Sequence, residues 1–475
     1  MTRWFLLMAA AALSGGLLAL GHGLHPWWPL AWIAPLPLLI AAFRASWRGA
    51  LLAGAVAGAL QALGSPHYYL MVLGPVGAAA VVVLFAVLWA LAVTTTRSLA
   101  ARLPPAAAVF AFPLVWAALD TLLLWGSPHG GVGSLSTSQV AEPLAIQVAA
   151  LGGSPAVVFL LCLPVSLAAV AIDRHEAWRW RDGVAGGLVI AAALTYSLVR
   201  LSQPVVGQPV TVALAAIDRP AGDLLLHDQA PAVWDTYEAR LAKLAPGAVD
   251  LILLPEAIDQ TTPAREPHLV ARLGALARAH DGVLALGAVD ERDGHVFNRA
   301  WVFAPDGRRV ADYAKHHPAP GEASLITPGS ALATFSLKGQ RLGVAICKDM
   351  DFAALPGAYR RLDVSALIVP ASDFGLDDWM HARVAVLRGV EEGVAVIRAA
   401  EHGVLSVSDP YGRVTAEAHS RPGAGGLLVA TVRLGPPLDT PYGHVGDAFG
   451  WGCVAAILLL GGSLAVRGLR RRKTT

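Results

Sequence analysis

Eight apolar segments dictate what this chain can fold into. They lie near 4–20, 24–43, 49–70, 72–93, 105–125, 151–172, 183–199 and 448–466. Each falls in or near the range of ~17–25 residues that crosses the hydrocarbon core of a bilayer. No water is available there to satisfy backbone polar groups, so such runs are expected as helices. Of the 475 residues only 15% are charged, mean hydropathy is +0.54, and a soluble chain would carry roughly a quarter charged residues. The net charge of +2 points to no polyanionic partner, and no nucleic acid is expected. The first segment is followed by His22-Gly-Leu-His25 rather than a cleavage site, so it reads as a retained helix.

Charge asymmetry sets the orientation. Arg3, Arg44, Arg48, Arg97, Arg102, Arg174, Arg179 and Arg181 flank one set of segment ends, and the tail adds Arg467, Arg470, Arg471, Arg472 and Lys473. The alternate stretches 21–27, 65–75 and 126–143 contain no Lys or Arg. Both termini are therefore expected in the cytoplasm. The long segment from about 201 to 447 follows the seventh span and is expected on the far side, which in a bacterium is the periplasm. Three domains result: 1–200 with about seven helices, 201–447 as a globular domain, and 448–475 as a final helix with a basic tail. No ion path is expected, because the spans read as free of ionisable residues apart from histidines and end charges.

The globular segment alternates short apolar runs with helical patterns. Runs at 210–217, 249–255, 282–289, 299–304, 342–346, 366–370, 394–399, 404–409 and 427–432 read as strands, and 232–244, 268–280 and 381–392 as helices. Asp306-Gly307 and Pro410-Tyr-Gly412 are turn signals. Both strand faces are apolar, which predicts a layered α/β sandwich. There is no G-x-G-x-x-G phosphate signature and no zinc spacing; neither metal nor cofactor is expected.

Cys347 is the only cysteine of this segment, because Cys162 and Cys453 fall inside apolar spans. An unpaired thiol in an oxidising compartment reads either as a small buried hydrophobe or as a nucleophile. Glu256 closes the run 249–256 and Lys315 the run 310–315, so a base, a cation and a thiol each stand at the mouth of a strand. A thiolate beside an ammonium is activated for acyl chemistry.

Leu-Pro-Glu256, Tyr-Ala-Lys315-His-His and Ala-Ile-Cys347 resemble the Glu-Lys-Cys triad of the nitrilase superfamily. Leu30-Ala-Trp-Ile-Ala-Pro-Leu-Pro-Leu-Leu39, Phe112-Pro-Leu-Val-Trp-Ala-Ala-Leu119 and Thr440-Pro-Tyr-Gly-His-Val-Gly-Asp447 resemble segments of the membrane-bound apolipoprotein N-acyltransferases. Arg388-Gly-Val-Glu-Glu-Gly393 and Ile397-Arg-Ala-Ala-Glu-His-Gly403 resemble that family's run after the nucleophile. The resemblance implies a polytopic helical membrane domain of about eight spans and a nitrilase-like αββα sandwich in the bacterial inner membrane. It implies a phospholipid acyl donor, a Cys347 thioester, and a lipoprotein or other amine acceptor. Glu256 is implied as base and Lys315 as stabiliser of thiolate and oxyanion, with Glu322 supporting the lysine and Trp379 and His381 near the substrate-facing loop. Tyr313 reads equally as core packing or site wall; His316 and His317 read as loop. Arg388 reads as the partner of Glu391 or Glu392, and Asp447 as an interfacial pair.

Three departures separate this chain from the family pattern. Lys348-Asp349 follows the nucleophile where an aromatic and a glutamate are usual, and Lys348 is expected to support the site with a positive charge beside the thiol. Only residues 323–326 separate Glu322 from Thr327-Pro-Gly329, where a longer apolar arm is usual. Ser372-Asp373-Phe374 replaces an Asn-Asp pair followed by an aromatic. Two other readings stay open: a membrane-tethered amidase that hydrolyses a C–N bond, and a non-catalytic membrane protein with a degenerate nitrilase domain. On the orientation, a periplasm-dependent reporter fused at Ala304 is expected to be active and one at Thr475 silent; the opposite pattern reverses the topology.

Overall fold

A computed structural model describes residues 2–217, 230–421 and 423–473. The side chains of 464–473 and the two terminal threonines, hence the basic tail used for orientation, lie outside the described residues. The chain divides into two compact units, Met1–Ser202 with His444–Thr475, and Gln203–Gly443.

The first unit is helical. Among the described residues five helices are long and apolar enough to cross a membrane: Thr2–Gly21, Pro66–Ala100, Pro105–Gly126, Ala149–Asp173 and Val184–Ser202. Trp28–Phe43 and Ala448–Ser463 are shorter apolar helices, and Trp47–Ala62 has 16 residues. Two expected boundaries move. The run 49–70 is not one helix: it stops at Ala62, and a new helix opens with Pro66 in its first turn, where the missing N–H costs nothing. The stretch 65–75, expected as a loop, is therefore helical from Pro66 onward. It breaks only at Gly74, whose φ of 68° precedes Pro75, because a residue before proline is pushed out of the α region.

Polar side chains inside this unit find one another. Gln61 meets His22 Nδ1 at 3.1 Å and accepts from Trp89 Nε1 at 2.5 Å. His22 Nε2 meets the Ser134 carbonyl at 3.1 Å, and Gln139 accepts from Trp32 Nε1 at 2.7 Å. The stretch 126–143 is thus packed by its serines and Gln139 rather than left as an open loop. Asp120, inside helix Ala111–Gly126, is buried, which corrects the expectation that the spans carry no acid. Trp125 donates to Asp447 at 3.0 Å.

The second unit is a two-sheet α/β sandwich. One sheet runs β13-β1-β2-β4-β5-β6 with β3 beside β4, and the other β12-β11-β10-β9-β8-β7. The strands are β1 Gln208–Ala216, β2 Leu251–Leu253, β3 Asp259–Thr261, β4 Val283–Arg292, β5 His295–Phe303, β6 Arg309–Ala314, β7 Thr334–Leu337, β8 Gln340–Val344, β9 Ala366–Ser372, β10 Ala395–Glu401, β11 Val404–Ser408, β12 Val414–His419 and β13 Gly426–Leu434. β3, β7 and β12 were not read from sequence; they are short or alternate polar with apolar residues along their length.

The two-residue period of a strand sorts its side chains between layers. Val212, Leu214, Leu251 and Leu253 enter the core between the sheets with Leu342, Val344 and Val396. Their neighbours Ala213, Ala215, Ile252 and Leu254 face outward against Trp234, Tyr237, Leu269 and Leu273 of helices Ala230–Leu241 and Glu266–His280. Helices Ala354–Arg360 and Asp378–Glu392 pack on the other sheet; there Tyr359 donates to the Val344 carbonyl, and Arg388 pairs with Glu391 at 2.6 Å.

The strands β1, β2 and β4 run parallel, as do β8, β9 and β10. The chain therefore leaves β2, β8 and β9 at one end of the sandwich. At that end β4 passes tightly under the residues after β2: a Cβ on Gly287 would sit 2.5 Å from Glu256 Cα and 2.7 Å from Ala257 N. Gly287→Ala is expected to destabilise the sandwich by about 1–3 kcal/mol, the usual range for overpacking, seen as a lower unfolding midpoint of the full chain in detergent.

Candidate active site

Glu256 sits just beyond β2. Its backbone N–H reaches the Ala371 carbonyl at 3.3 Å, so this loop is tied to the end of β9 in the opposite sheet. Lys315 follows β6, anchored by its N–H to the Asn298 carbonyl at 2.8 Å. Cys347 follows β8 and begins a short 3-10 turn, Cys347–Asp351, with φ of 44°. The left-handed region costs a residue other than glycine of order 1–3 kcal/mol, and such strain gathers at functional sites. Ala257, next to Glu256, has φ of 53°.

The three side chains converge. Lys315, 1% exposed, holds its ammonium 2.6 Å from Glu256 Oε1 and 2.9 Å from Glu322 Oε2. Asn298 donates to Glu256 Oε1 at 2.7 Å, and the Ser372 N–H to Oε2 at 3.0 Å. The Cys347 thiol points to the Ser372 carbonyl at 3.6 Å. One residue at the end of β9 therefore touches both the acid and the thiol.

Charge and burial set the protonation of each group. Burial pushes the Cys347 thiol well above its ordinary range and the Glu256 carboxylate adds to that, while Lys315 opposes both. Burial raises the Glu256 carboxyl too, against the pull of Lys315. Burial works downward on Lys315, but Glu256 and Glu322 outweigh it and hold the ammonium well above its usual range. Burial works upward on Glu322, and Lys315 with the Ala319 N–H outweighs it. The resting arrangement is a neutral thiol beside a fixed ammonium and a carboxylate that is a stronger base than usual.

Asp349 clamps this arrangement from below. It is fully buried and accepts from Tyr313 Oη at 2.7 Å, from the N–H groups of His316 and His317 at 3.1 and 2.9 Å, and from Ile346 N–H at 3.0 Å. His317 Nδ1 lies 3.0 Å away. Asp349 thus ties the chain after Lys315 to the chain before Cys347. Tyr313 is fully buried in that role. Lys348 turns inward, 3.4 Å from Asp351 Oδ2, so its charge is neutralised in a buried pair rather than presented to the thiol. Glu322 closes a compact turn: its carbonyl accepts from the N–H groups of Leu325 and Ile326, both at 2.8 Å.

Trp379 and His381 take different places. The Trp379 ring lies under the Arg383 guanidinium at 5.4 Å. His381 is lodged between Asp351 and Asp377 at 3.3 and 3.2 Å. Asn298 and the Ser372 backbone were missed in the sequence; one lies in an unremarkable strand, and the other acts through atoms every residue has. Among the described residues no cluster of three or more His, Cys, Asp or Glu side chains could hold a metal ion.

Lys315→Met removes the cation between two carboxylates. It is expected to destabilise the sandwich by about 3–5 kcal/mol, the scale for breaking a buried ion pair, measured as a lower unfolding midpoint of the full chain in detergent.

Two families match the chain in tandem: the apolipoprotein N-acyltransferase N-terminal domain over residues 14–167, and the carbon-nitrogen hydrolases over 213–436. An apolipoprotein N-acyltransferase of Geobacter metallireducens is 28% identical, covering 94% of this chain and 92% of the relative. One of Chromobacterium violaceum is 27% identical over 79% of this chain and 76% of its own length. Among solved structures, Nit3 of Saccharomyces cerevisiae, a member of branch 10 of the nitrilase superfamily, gives a TM-score of 0.42 at 21% identity, over 49% of this chain and 92% of that one.

Proposed function

We infer that the chain, a divergent member of the apolipoprotein N-acyltransferase family and a membrane N-acyltransferase, performs the transfer with Glu256, Lys315 and Cys347. The observation that carries this reading is the buried Lys315 ammonium, gripped by Glu256 and Glu322 in the field of the Cys347 thiol. The acyl donor is a phospholipid and the acceptor the N-terminal amine of a lipoprotein.

The chemistry follows from the charges. Glu256 takes the thiol proton as sulfur attacks the ester carbonyl. Lys315 and the backbone N–H after Cys347 stabilise the tetrahedral oxyanion. Collapse breaks the ester C–O bond, and the lysophospholipid oxygen leaves with the proton held by Glu256. The acceptor amine then attacks the thioester and gives a proton to Glu256. Sulfur departs as thiolate beside Lys315 and is reprotonated, leaving an amide and the free thiol. Glu322 keeps Lys315 charged, and Asp349 fixes its position relative to Cys347.

The wider organisation is read in the same way. The five long helices and the three shorter ones are taken as eight spans with cytoplasmic termini in the inner membrane, and the unit Gln203–Gly443 as periplasmic. Arginine asymmetry along the flanks supports this orientation.

The compact turn after Glu322 leaves no apolar arm to guide a lipidated acceptor. Thioester formation is therefore expected to be intact, while N-acylation of a standard diacylated lipopeptide is slow. A single-turnover assay tests this, with labelled phosphatidylethanolamine loaded first and lipopeptide added second. Cys347→Ala should form no acyl adduct, and Glu256→Gln and Lys315→Ala should each lose at least ~10²-fold in rate. An adduct on Cys347→Ala excludes covalent catalysis at this residue. Discharge to lipopeptide as fast as in an arm-bearing relative removes the role given to the short turn. Cleavage of short amides without any acyl-enzyme from phospholipid favours the amidase reading.

A further inference from the structure

A row of buried charges joins the nucleophile's turn to the loop 372–377, and the acyl-transfer chemistry makes no direct use of it. Lys348 Nζ meets Asp351 Oδ2 at 3.4 Å. Asp351 Oδ1 lies 3.3 Å from His381 Nδ1, and His381 Nε2 lies 3.2 Å from Asp377 Oδ2. Asp377 Oδ1 accepts the Phe374 N–H at 2.9 Å. Alongside, Asp373 is held by both terminal nitrogens of Arg398, at 3.0 and 2.5 Å.

Asp351, Asp373, Asp377, Lys348 and Arg398 are all buried. Three carboxylates thus face Lys348, Arg398 and His381, and the charges cancel only when the His381 ring is an imidazolium. Its two nitrogens both face carboxylate oxygens, and only a doubly protonated ring can donate to both. Burial works downward on this ring, and Asp351 and Asp377 outweigh it, holding its pKa at about 10.

We propose that His381 is a positioning residue, a charged pin that fixes the distance between the Cys347 thiol and the Glu256 carboxylate. Asp351 ends the turn that begins at Cys347. Asp377 ends the loop that begins at Ser372, whose carbonyl faces the thiol and whose N–H holds Glu256. The ring attracts both acids and draws the two segments together. Without its charge, Asp351 and Asp377 repel across the gap, and the thiol moves relative to its base. Lys348 completes the row by neutralising the second oxygen of Asp351.

The proposal rests on the acyltransfer reading only in its second readout. The first is alkylation of Cys347 by iodoacetamide in the full-length protein in detergent, followed on the Cys347 peptide by mass spectrometry. The second is single-turnover acyl-enzyme formation from phosphatidylethanolamine, per titrated thiol. His381→Gln is expected to slow alkylation about 10-fold. It should slow acyl-enzyme formation about 30-fold at saturating lipid, with the half-saturating lipid concentration changed less than about 3-fold, as for a misplaced reacting group. His381→Gln with Asp377→Asn removes a cation and an anion together and should recover at least about 5-fold of the alkylation loss.

A His381→Gln rate within about 3-fold of the unaltered protein, or a double variant no faster than the single one, overturns the proposal. Should His381→Gln not accumulate, Asp377→Asn serves in its place: it should slow alkylation about 5-fold, and an unchanged rate overturns the proposal. If the unaltered protein is alkylated at Cys347 but forms no acyl-enzyme, the acyltransfer reading fails, while the alkylation comparison still decides on the pin.

Discussion

The Lys315 ammonium, buried between Glu256 and Glu322, is the contact on which the site depends. Glu256 is buried while Glu322 is partly exposed, and without a cation the charged form of Glu256 would be costly there. The lysine permits Glu256 to remain a carboxylate while burial raises its basicity. Among the described residues it is the cation within hydrogen-bond reach of both Glu256 and Glu322. The backbone geometry serves this one group: β6 delivers Lys315, the N–H of Lys315 is fixed to Asn298, and Asn298 in turn holds Glu256.

Around that contact the sandwich works as a frame with two closures. Asp349 binds the chain on both sides of Lys315 to the chain before Cys347 through five donors. Ser372 binds the thiol and the base through its own backbone. The strained φ of Cys347 persists because both closures over-determine the turn. A buried lysine and a buried aspartate follow Cys347. Asp349 takes up hydrogen bonds on both sides of the site, and Lys348 is absorbed by Asp351. Both residues therefore act on the support of the site and leave the three converging side chains to one another.

The membrane unit follows a different economy. Its helices gain little by burying apolar faces in a bilayer, so packing and polar contacts hold them. Gln61, His22, Trp89 and Ser134 satisfy one another in a buried set, and the serines of 134–138 with Gln139 bury a stretch that hydropathy alone treats as a connecting loop.

Hydropathy located the helical unit and strand periodicity the sandwich, because both are set by one-dimensional patterns of side-chain type. Glu256, Lys315 and Cys347 stood out for the same reason: each is a charged or reactive residue that ends an apolar run. The break at residues 63–65 and the kink at Gly74 were legible in Pro66 and Pro75 but lost in a smooth apolar run. Asp120 was passed over inside a span, although its letter was plain. Asn298, the Ser372 backbone and the pairing of His381 with Asp351 and Asp377 could not be read at all. They depend on which strand ends the fold brings together: Asn298 and Glu256, 42 positions apart, meet within one sheet, while Ser372 and Glu256, 116 apart, and His381 and Asp351, 30 apart, meet only once the parallel register has placed β2, β8 and β9 at the same end. The sequence alone thus determined the kinds of unit and the reactive residues, through local pattern and chemistry. The tertiary structure alone decided their partners, because burial and charge balance are properties of the assembled interior.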